Sequence, residues 1–319
     1  MNALPHALLV AGPTCSGKSA LALALAEQLD GMVINADSMQ VYRELRIITA
    51  RPTPEEEARA PHALYGTRPA AQPGNAAWWR ETALAAMTQA HANGQLPILC
   101  GGTGLYFAAL VDGISEIPEC GEPARAEARW LLAEHGPTAL HASLAKVDPA
   151  TAARLRPSDS QRVARAWEVW RGTGRGLAAW QTQKGTPAPW RFSALLLDPP
   201  RETLRTAIAG RFTAMLAQGA LAEVQALLAQ DLDPALPAMR AHGVPELAAH
   251  LRGEMPLPQA AQRAEQVTGQ YTKRQATWFR HKRMADPART QVIHARINNF
   301  TQFSESERAE IFRFIRNAA

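Results

Sequence analysis

The sequence predicts an α/β fold: a P-loop parallel sheet core with helices on both faces and an all-helical insertion domain. Three observations carry this expectation. Short, continuously apolar runs recur along the chain and alternate with Ala- and Leu-rich stretches of helical character, the pattern of a parallel sheet buried on both faces. The first run leads directly into the glycine-rich string GPTCSGKS. Between Ile117 and Lys184 the rhythm breaks, leaving successive helical segments with no strand among them.

In chain order, residues 7–11 form the first apolar run, and a helix is expected over 19–29. GMVINAD (31–37) is a second strand ending in an acid, and the Pro-, Glu- and Ala-rich stretch 51–75 reads as irregular surface structure. A helix follows over 75–93, with Gly94 as its stop signal. LPILCGGTG (96–104) is a third strand running into a glycine turn, and FSALLLD (192–198) is a fourth, closed by Pro199 and Pro200. TQVIHA (290–295) is a candidate fifth. Helices are expected at 124–135, 137–146, 149–155 and 160–171, with a further helical run over 201–284. The resulting division places 1–116 and 185–319 in the core and 117–184 in the insertion.

The 319 residues are 46% hydrophobic and 20% charged, enough for a packed core. No apolar run approaches the roughly 18 residues needed to span a bilayer, so no transmembrane segment is expected. The first apolar run reads as a core strand rather than a signal peptide. Cys15, Cys100 and Cys120 fall in no CxxC pattern, which points to reduced thiols and a cytoplasmic location. The net charge of +5 tilts weakly towards an anionic partner.

Gly12-Pro13-Thr14-Cys15-Ser16-Gly17-Lys18-Ser19 matches GxxxxGK[ST] at every fixed position. Such a loop turns its backbone N–H groups inward as an anion nest, and the following helix adds the positive end of its dipole. Lys18 supplies a cation for the terminal phosphate, and the Ser19 hydroxyl can join a Mg²⁺ shell. The motif leaves open which phosphates are held, since a diphosphate fits as well as a triphosphate. An ATP-dependent small-molecule kinase is the default reading.

Asp37 stands at the carboxyl end of the second apolar run, where open α/β sheets place their ligands. It can bind Mg²⁺, take a proton from an attacking hydroxyl or amine, or cap the next segment. Ser38, Met39, Gln40, Val41 and Tyr42 put polar and aromatic groups beside it, useful for reading a base edge, and Asp37, Ser38, Met39 and Gln40 are expected to contact nucleic acid. Thr103, in Gly101-Gly102-Thr103-Gly104, is the one hydrogen-bonding side chain in a turn whose glycines allow close approach of a ligand. Far downstream, YTKRQATWFRHKR (271–283) interleaves aromatics and cations as single-stranded RNA sites do. On a helix Arg274 and Trp278 share a face, with Lys273 and Arg280 placed to reach phosphates. A solvated basic face with Trp278 and Phe279 in the core is the alternative.

The strings GPTCSGKS, NADSMQVYRELRIITARPT, GGTGLYFAAL, DSQRVARAWEVWRGTGRGL (159–177), PAMRAHGVPELAAHLRGE (237–254) and VTGQYTKRQATWFRH (267–281) together resemble the tRNA dimethylallyltransferases, over nearly the whole chain. The resemblance implies transfer of a dimethylallyl group from dimethylallyl diphosphate to the exocyclic amine of the adenosine 3′ of a tRNA anticodon. It implies that residues 14–19 cradle the diphosphate with Arg211, that Asp37 is the general base, and that Thr103 lies near the bond being broken. Arg125, Gln161-Arg162-Val163-Ala164-Arg165 and Arg240-Ala241-His242-Gly243-Val244-Pro245 match strings that contact the tRNA anticodon stem-loop. Mg²⁺ and a monomeric enzyme are the further expectations. The chain departs from the family pattern at Gly243-Val244-Pro245, where an aromatic and a basic residue are lost, and at Gly269 and Ile48. A relative that prenylates free adenylate, and an RNA-binding module with a vestigial loop, are the competing readings. The long insertion and basic helix argue against the first, and the intact Lys18 and Asp37 against the second.

Overall fold

Each of the five apolar runs forms a strand in the computed structural model of the chain, which describes residues 4–183 and 185–318. The strands are β1 (His6–Ala11), β2 (Gly31–Asn35), β3 (His62–Ala63), β4 (Leu96–Gly101), β5 (Arg191–Leu197) and β6 (Thr290–Ile293). They make one parallel sheet in the order β3-β2-β4-β1-β5-β6. In its register Leu8 of β1 lies between Ile98 of β4 and Ser193 of β5.

The strand order matters for function. The connection leaving β1 runs to β2, on the far side of β4, whereas the connection leaving β4 runs to β5, on the far side of β1. Connections that depart in opposite directions open a crevice at the carboxyl ends of β1 and β4, the place where open α/β sheets hold ligands. Alternation along β1 fills both faces of the sheet. Ala7, Leu9 and Ala11 pack with Trp79, Met87, Phe107 and Phe279, while Leu8 and Val10 pack with Leu21, Leu25, Ile311 and Ile315.

The helices are α1 (Lys18–Leu29), α2 (Pro54–Arg59), α3 (Ala76–Ala92), α4 (Gly104–Val111), α5 (Gly121–Val147), α6 (Pro149–Ala152), α7 (Ser160–Thr173), α8 (Leu177–Trp180), α9 (Arg201–Ala217), α10 (Ala220–Leu228), α11 (Val244–Leu251), α12 (Leu257–His281) and α13 (Glu305–Ala318). The stretch 51–75, expected to be irregular, contains α2 and β3. Thr53 Oγ1 accepts the Glu56 N–H at 3.2 Å, and Glu56 Oε2 accepts the Thr53 N–H at 2.9 Å. This capping box with Pro54 at the first helical position was written in Thr-Pro-Glu-Glu. α13 repeats the device at Ser304 and Glu307. Its Ile311 and Ile315, four apart, close one face of the sheet.

The chain divides into two compact units, Met1–Val111 with Ala188–Ala319, and Asp112–Pro187. The smaller unit starts before and ends after the expected 117–184 insertion, whose last residue, Lys184, lies outside the described residues. Its described residues hold α5 to α8 and no strand. α5 joins two of the expected helices across a break at Gly136, where φ is 75° and ψ 171°, just before Pro137. Asp148 ties this unit together, its two carboxylate oxygens accepting the Thr151 and Leu177 N–H groups, each at 3.1 Å.

Candidate active site

Residues 12–17 turn between β1 and α1, as the motif requires. The Ser16 N–H closes the loop on the Pro13 carbonyl at 3.2 Å. Gly17 has φ 90°, and a Cβ there would lie 1.8 Å from the Ile297 carbonyl oxygen. Both the left-handed backbone and the closeness of Ile297 therefore demand glycine. Thr14, Cys15, Gly17, Lys18 and Ser19 line a cavity of about 500 Å³, together with Asp37, Gln40, Arg46, Thr49, Arg51, Arg211, Met215 and Arg296. Gly12, Pro13 and Ser16 do not line it. Ser16 is fully buried, its carbonyl accepting the Ile297 N–H at 2.9 Å.

Arg211 reaches the cavity from α9. Its Nη2 donates to the Thr49 carbonyl at 3.2 Å and its Nη1 lies 3.8 Å from Cys15 Sγ. The segment that carries Thr49 is itself fixed by a carboxylate on α10. Glu223 accepts the N–H groups of Arg46 and Ile47 at 2.8 Å and of Ile48 at 2.9 Å. Gln40 donates to the carbonyls of Thr49 at 2.9 Å and Ala50 at 2.8 Å. Arg46 Nη2 donates to both carboxylate oxygens of Glu57, at 3.1 and 3.0 Å.

Asp37 follows β2 in a tight turn. Its N–H donates to Asn35 Oδ1 at 2.8 Å, and its Oδ1 accepts the Met39 N–H at 2.9 Å. That turn is bonded to the glycine turn after β4, since Thr103 Oγ1 accepts the Ser38 N–H at 2.9 Å and donates to Ser38 Oγ at 3.2 Å. Thr103 thereby stands beside Asp37 across the β2–β4 edge. The phenol of Tyr271 sits among Thr103, Gln275 and Asp37, and burial pushes its pKa up to about 12, so it stays protonated. His242 packs against that ring, centroids 4.8 Å apart and planes tilted by 52°, and burial lowers its pKa.

The glycines beside Thr103 serve a different purpose from the ligand approach expected of them. A Cβ on Gly101 would meet the Ala36 carbonyl at 2.0 Å, one on Gly102 the Gln275 amide at 2.3 Å, and one on Gly104 the Trp278 ring at 2.4 Å. The space is filled by protein. Gln275, only 4% exposed, bridges the two loops at the β1–β4 crevice. Its Oε1 accepts the Thr14 N–H at 2.9 Å and its Nε2 donates to the Gly102 carbonyl at 2.8 Å. Thr272, Gln275 and Phe279 form the buried face of α12, so Trp278, half-buried against Gly104, packs the core edge rather than sharing an open platform with Arg274. Sequence reasoning passed over Gln275, although its 3–4 spacing with Thr272 and Phe279 marks that buried face.

The residues expected to touch RNA divide by exposure. Lys273 and Arg274 are exposed, and Arg274 lies over Tyr271 at 5.6 Å. Arg280 forks onto Asp198 at 2.8 and 2.9 Å, so a phosphate there has to compete with that carboxylate. Arg240 and Pro245 are exposed, whereas Ala241, Gly243 and Val244 are buried, Ala241 and Val244 in the core formed with Phe212 and Leu247. In the smaller unit, Gln161 and Arg162 are exposed, Ala164 is half-buried and Val163 is fully buried. Val163 shapes the helix and offers no surface of its own. Arg125 Nε and Arg165 Nη1 both meet Glu168 Oε1, at 3.1 and 2.6 Å, and Arg162 pairs with Asp159 at 3.4 Å. Among the described residues no cysteine is in a disulfide, and no helix is long and apolar enough to cross a membrane.

Comparison with known proteins identifies the family. The sequence profile of the IPP transferases matches residues 40–282. The chain is 65% identical to the tRNA dimethylallyltransferase of Granulibacter bethesdensis, covering 98% of each, and 60% identical to that of Acidiphilium cryptum, covering 97% of this chain and 94% of the relative. Among solved structures it resembles the tRNA isopentenylpyrophosphate transferase of Bacillus halodurans, with TM-score 0.67, 29% identity and coverage of 98% and 97%. A eukaryotic dimethylallyltransferase captured acting on tRNA gives TM-score 0.78 at 26% identity, over 98% of this chain and 80% of that one. The chain belongs to the IPP transferase family, among the tRNA dimethylallyltransferases.

Proposed function

We propose that this protein transfers the dimethylallyl group of dimethylallyl diphosphate to the exocyclic amine of the adenosine 3′-adjacent to the anticodon of tRNA, releasing diphosphate. The observation that carries the reading is a single cavity lined both by the phosphate loop with Lys18 and Arg211 and by Asp37. A kinase needs its acceptor beside a terminal phosphate. Here a carboxylate faces an anion cradle across a space large enough for an allylic chain.

The reaction makes one bond and breaks one. The adenine amine attacks the allylic carbon, the carbon–oxygen bond to diphosphate breaks, and the amine proton passes to Asp37. An exocyclic amine conjugated to its ring is a weak nucleophile, so a carboxylate that orients it and takes its proton supplies most of the activation. Charge builds on the departing diphosphate, where the loop N–H groups, Lys18 and Arg211 stabilise it. Thr103 holds the Asp37 turn through Ser38. The anticodon-loop adenosine is turned out of its stack to reach Asp37, at roughly a few kcal/mol.

Mg²⁺ fits this scheme as a cation carried on the donor. Among the described residues no cluster of three or more His, Cys, Asp or Glu is arranged to hold a metal. Mg²⁺ is satisfied by one or two protein oxygens with phosphate and water, and the Ser19 hydroxyl on the cavity wall is such an oxygen. When bound, it neutralises charge on the leaving diphosphate. The exposed cations Arg162, Arg240, Lys273 and Arg274 serve the tRNA, and the enzyme acts as a monomer.

The test is incubation with labelled dimethylallyl diphosphate and tRNA, then nucleoside analysis. Label in a modified adenosine is expected. Thermal stabilisation by ATP but not by dimethylallyl diphosphate, with no label in RNA, would replace this reading by a phosphoryl transferase.

A further inference from the structure

The carboxyl-terminal segment after β6 lies on the phosphate loop. The Ile297 N–H donates to the Ser16 carbonyl at 2.9 Å, and the Ile297 carbonyl fills the space that a side chain on Gly17 would need. Arg296 Nε donates to the Cys15 carbonyl at 3.0 Å. The segment is braced from behind by Gln302, whose Nε2 donates to the Arg296 carbonyl at 3.0 Å and whose Oε1 accepts the Asn298 N–H at 2.8 Å. Parallel pairing of β1, β5 and β6 explains why so distant a residue arrives there, since all three strands end at the same edge.

Three cations therefore line the loop end of the cavity: Lys18 from α1, Arg211 from α9 and Arg296 from the segment after β6. Among the described residues, none of the three makes an ion pair. Of the other two cations on the same wall, Arg46 is neutralised by Glu57, and Arg51 turns its Nη1 onto the carbonyls of Tyr42 and Arg43. Arg211 and Arg296 both engage Cys15, one at its sulfur and one at its carbonyl, so they grip the same loop residue. A diphosphate monoester carries close to three negative charges, more than one lysine and one arginine balance. Because Nε of Arg296 is spent on the loop, the fork left for an anion is its two Nη groups, fixed in direction by that bond.

We propose that Arg296 is a further diphosphate-binding residue of the donor site, one that the carboxyl-terminal segment delivers to the cradle. The inference rests on the reading of the cavity as a diphosphate site. Its test uses the full-length enzyme with inorganic pyrophosphate and Mg²⁺, followed by calorimetry, together with the KM for dimethylallyl diphosphate and for tRNA. The informative variants are Arg296→Lys, which keeps a charge, and Arg296→Gln, which keeps a donor for the Cys15 carbonyl without one.

Loss of a charge-assisted contact is expected to weaken pyrophosphate binding by about ten- to a hundredfold in Arg296→Gln. Arg296→Lys, which restores the charge but not the fork, should fall between Arg296→Gln and the unaltered enzyme. In Arg296→Gln the donor KM should rise in step while the tRNA KM stays put. Pyrophosphate binding by Arg296→Gln equal to that of the unaltered enzyme would overturn the assignment, reducing Arg296 to a brace for the loop. A tRNA KM that rises as much as the donor KM in Arg296→Gln would do the same, because a loosened loop rather than a lost contact would then be the cause. If the unaltered enzyme binds neither pyrophosphate nor dimethylallyl diphosphate, the reading of the cavity itself fails, and this inference with it.

Discussion

Lys18, Arg211 and Arg296 in the larger unit, and Arg125, Arg162 and Arg165 in the smaller one, are two sets of three cations held in opposite ways. Among the described residues the first set stands on the cavity wall with no carboxylate at ion-pair distance, its arginines anchored to loop backbone or sulfur. In the second set every guanidinium already has an acid, Glu168 for Arg125 and Arg165 and Asp159 for Arg162. Unpaired, half-buried cations represent charge left for a ligand and carry a standing electrostatic cost that the ligand relieves. Exposed, paired cations cost almost nothing while waiting, since such pairs contribute only about 0.2–1 kcal/mol. They can exchange a carboxylate for a phosphate with little change in energy. A small, chemically fixed donor suits the first arrangement, and a large acceptor gripped at many weak points suits the second.

The largest effect is expected where the two substrates meet. Asp37→Asn keeps an oxygen for the Met39 N–H but removes the proposed base, and transfer in single-turnover assays should fall by about 10²- to 10⁴-fold. Pyrophosphate affinity should stay within about threefold. A parallel loss of both would mean that Asp37 builds the cradle instead of serving the acceptor. Next comes Gly17→Ala, which forces a side chain into a left-handed backbone and against Ile297. It is expected to cost about 3 kcal/mol by chemical denaturation and to abolish pyrophosphate binding.

Glu223→Gln loosens the wall of the cavity without touching a substrate. One neutral amide cannot replace a carboxylate that receives three backbone N–H groups, so a loss of about 1–2 kcal/mol is expected. The donor KM should rise with little change in the tRNA KM. The smallest effect belongs to the paired cations. Glu168→Gln releases Arg165 and leaves Arg125 only the longer pair with Glu122 at 3.9 Å, and tRNA binding at low salt should tighten about two- to fivefold. The gain should vanish at high salt as the released charges are screened. Weaker binding in that variant would show that Glu168 orients the arginines rather than occupying them.

The larger unit was the more legible of the two in sequence, for a physical reason. A continuous apolar run ending in GPTCSGKS or in an acid reports burial on two faces and a ligand edge at once, so β1, β2 and β4 with Lys18 and Asp37 stand where they were expected. Glu223 and Arg296 carry no such mark. Their partners are backbone groups about 175 and 281 positions away in the chain, and one glutamate on a helix surface looks like any other until the fold brings that backbone to it. Gln275 was half-legible, because helical spacing shows it buried but not what it bridges. The capping boxes at Thr53 and Ser304 were legible and were passed over in favour of composition. Arg162 and Arg165 of α7 were visible as charges, yet their acids lie on the same helix or just before it, where they read as ordinary solvated partners.

The Arg296–Cys15 bond also sets a clock. Its two ends lie 281 residues apart, and at roughly 5–20 residues per second a ribosome needs on the order of 15–55 s to travel between them. The loop thus emerges long before the segment that completes it. Until residue 297 leaves the exit tunnel, Ser16 and Gly17 lack the backbone that seats them. The proposed diphosphate site is therefore assembled only after all six strands of the sheet have been made.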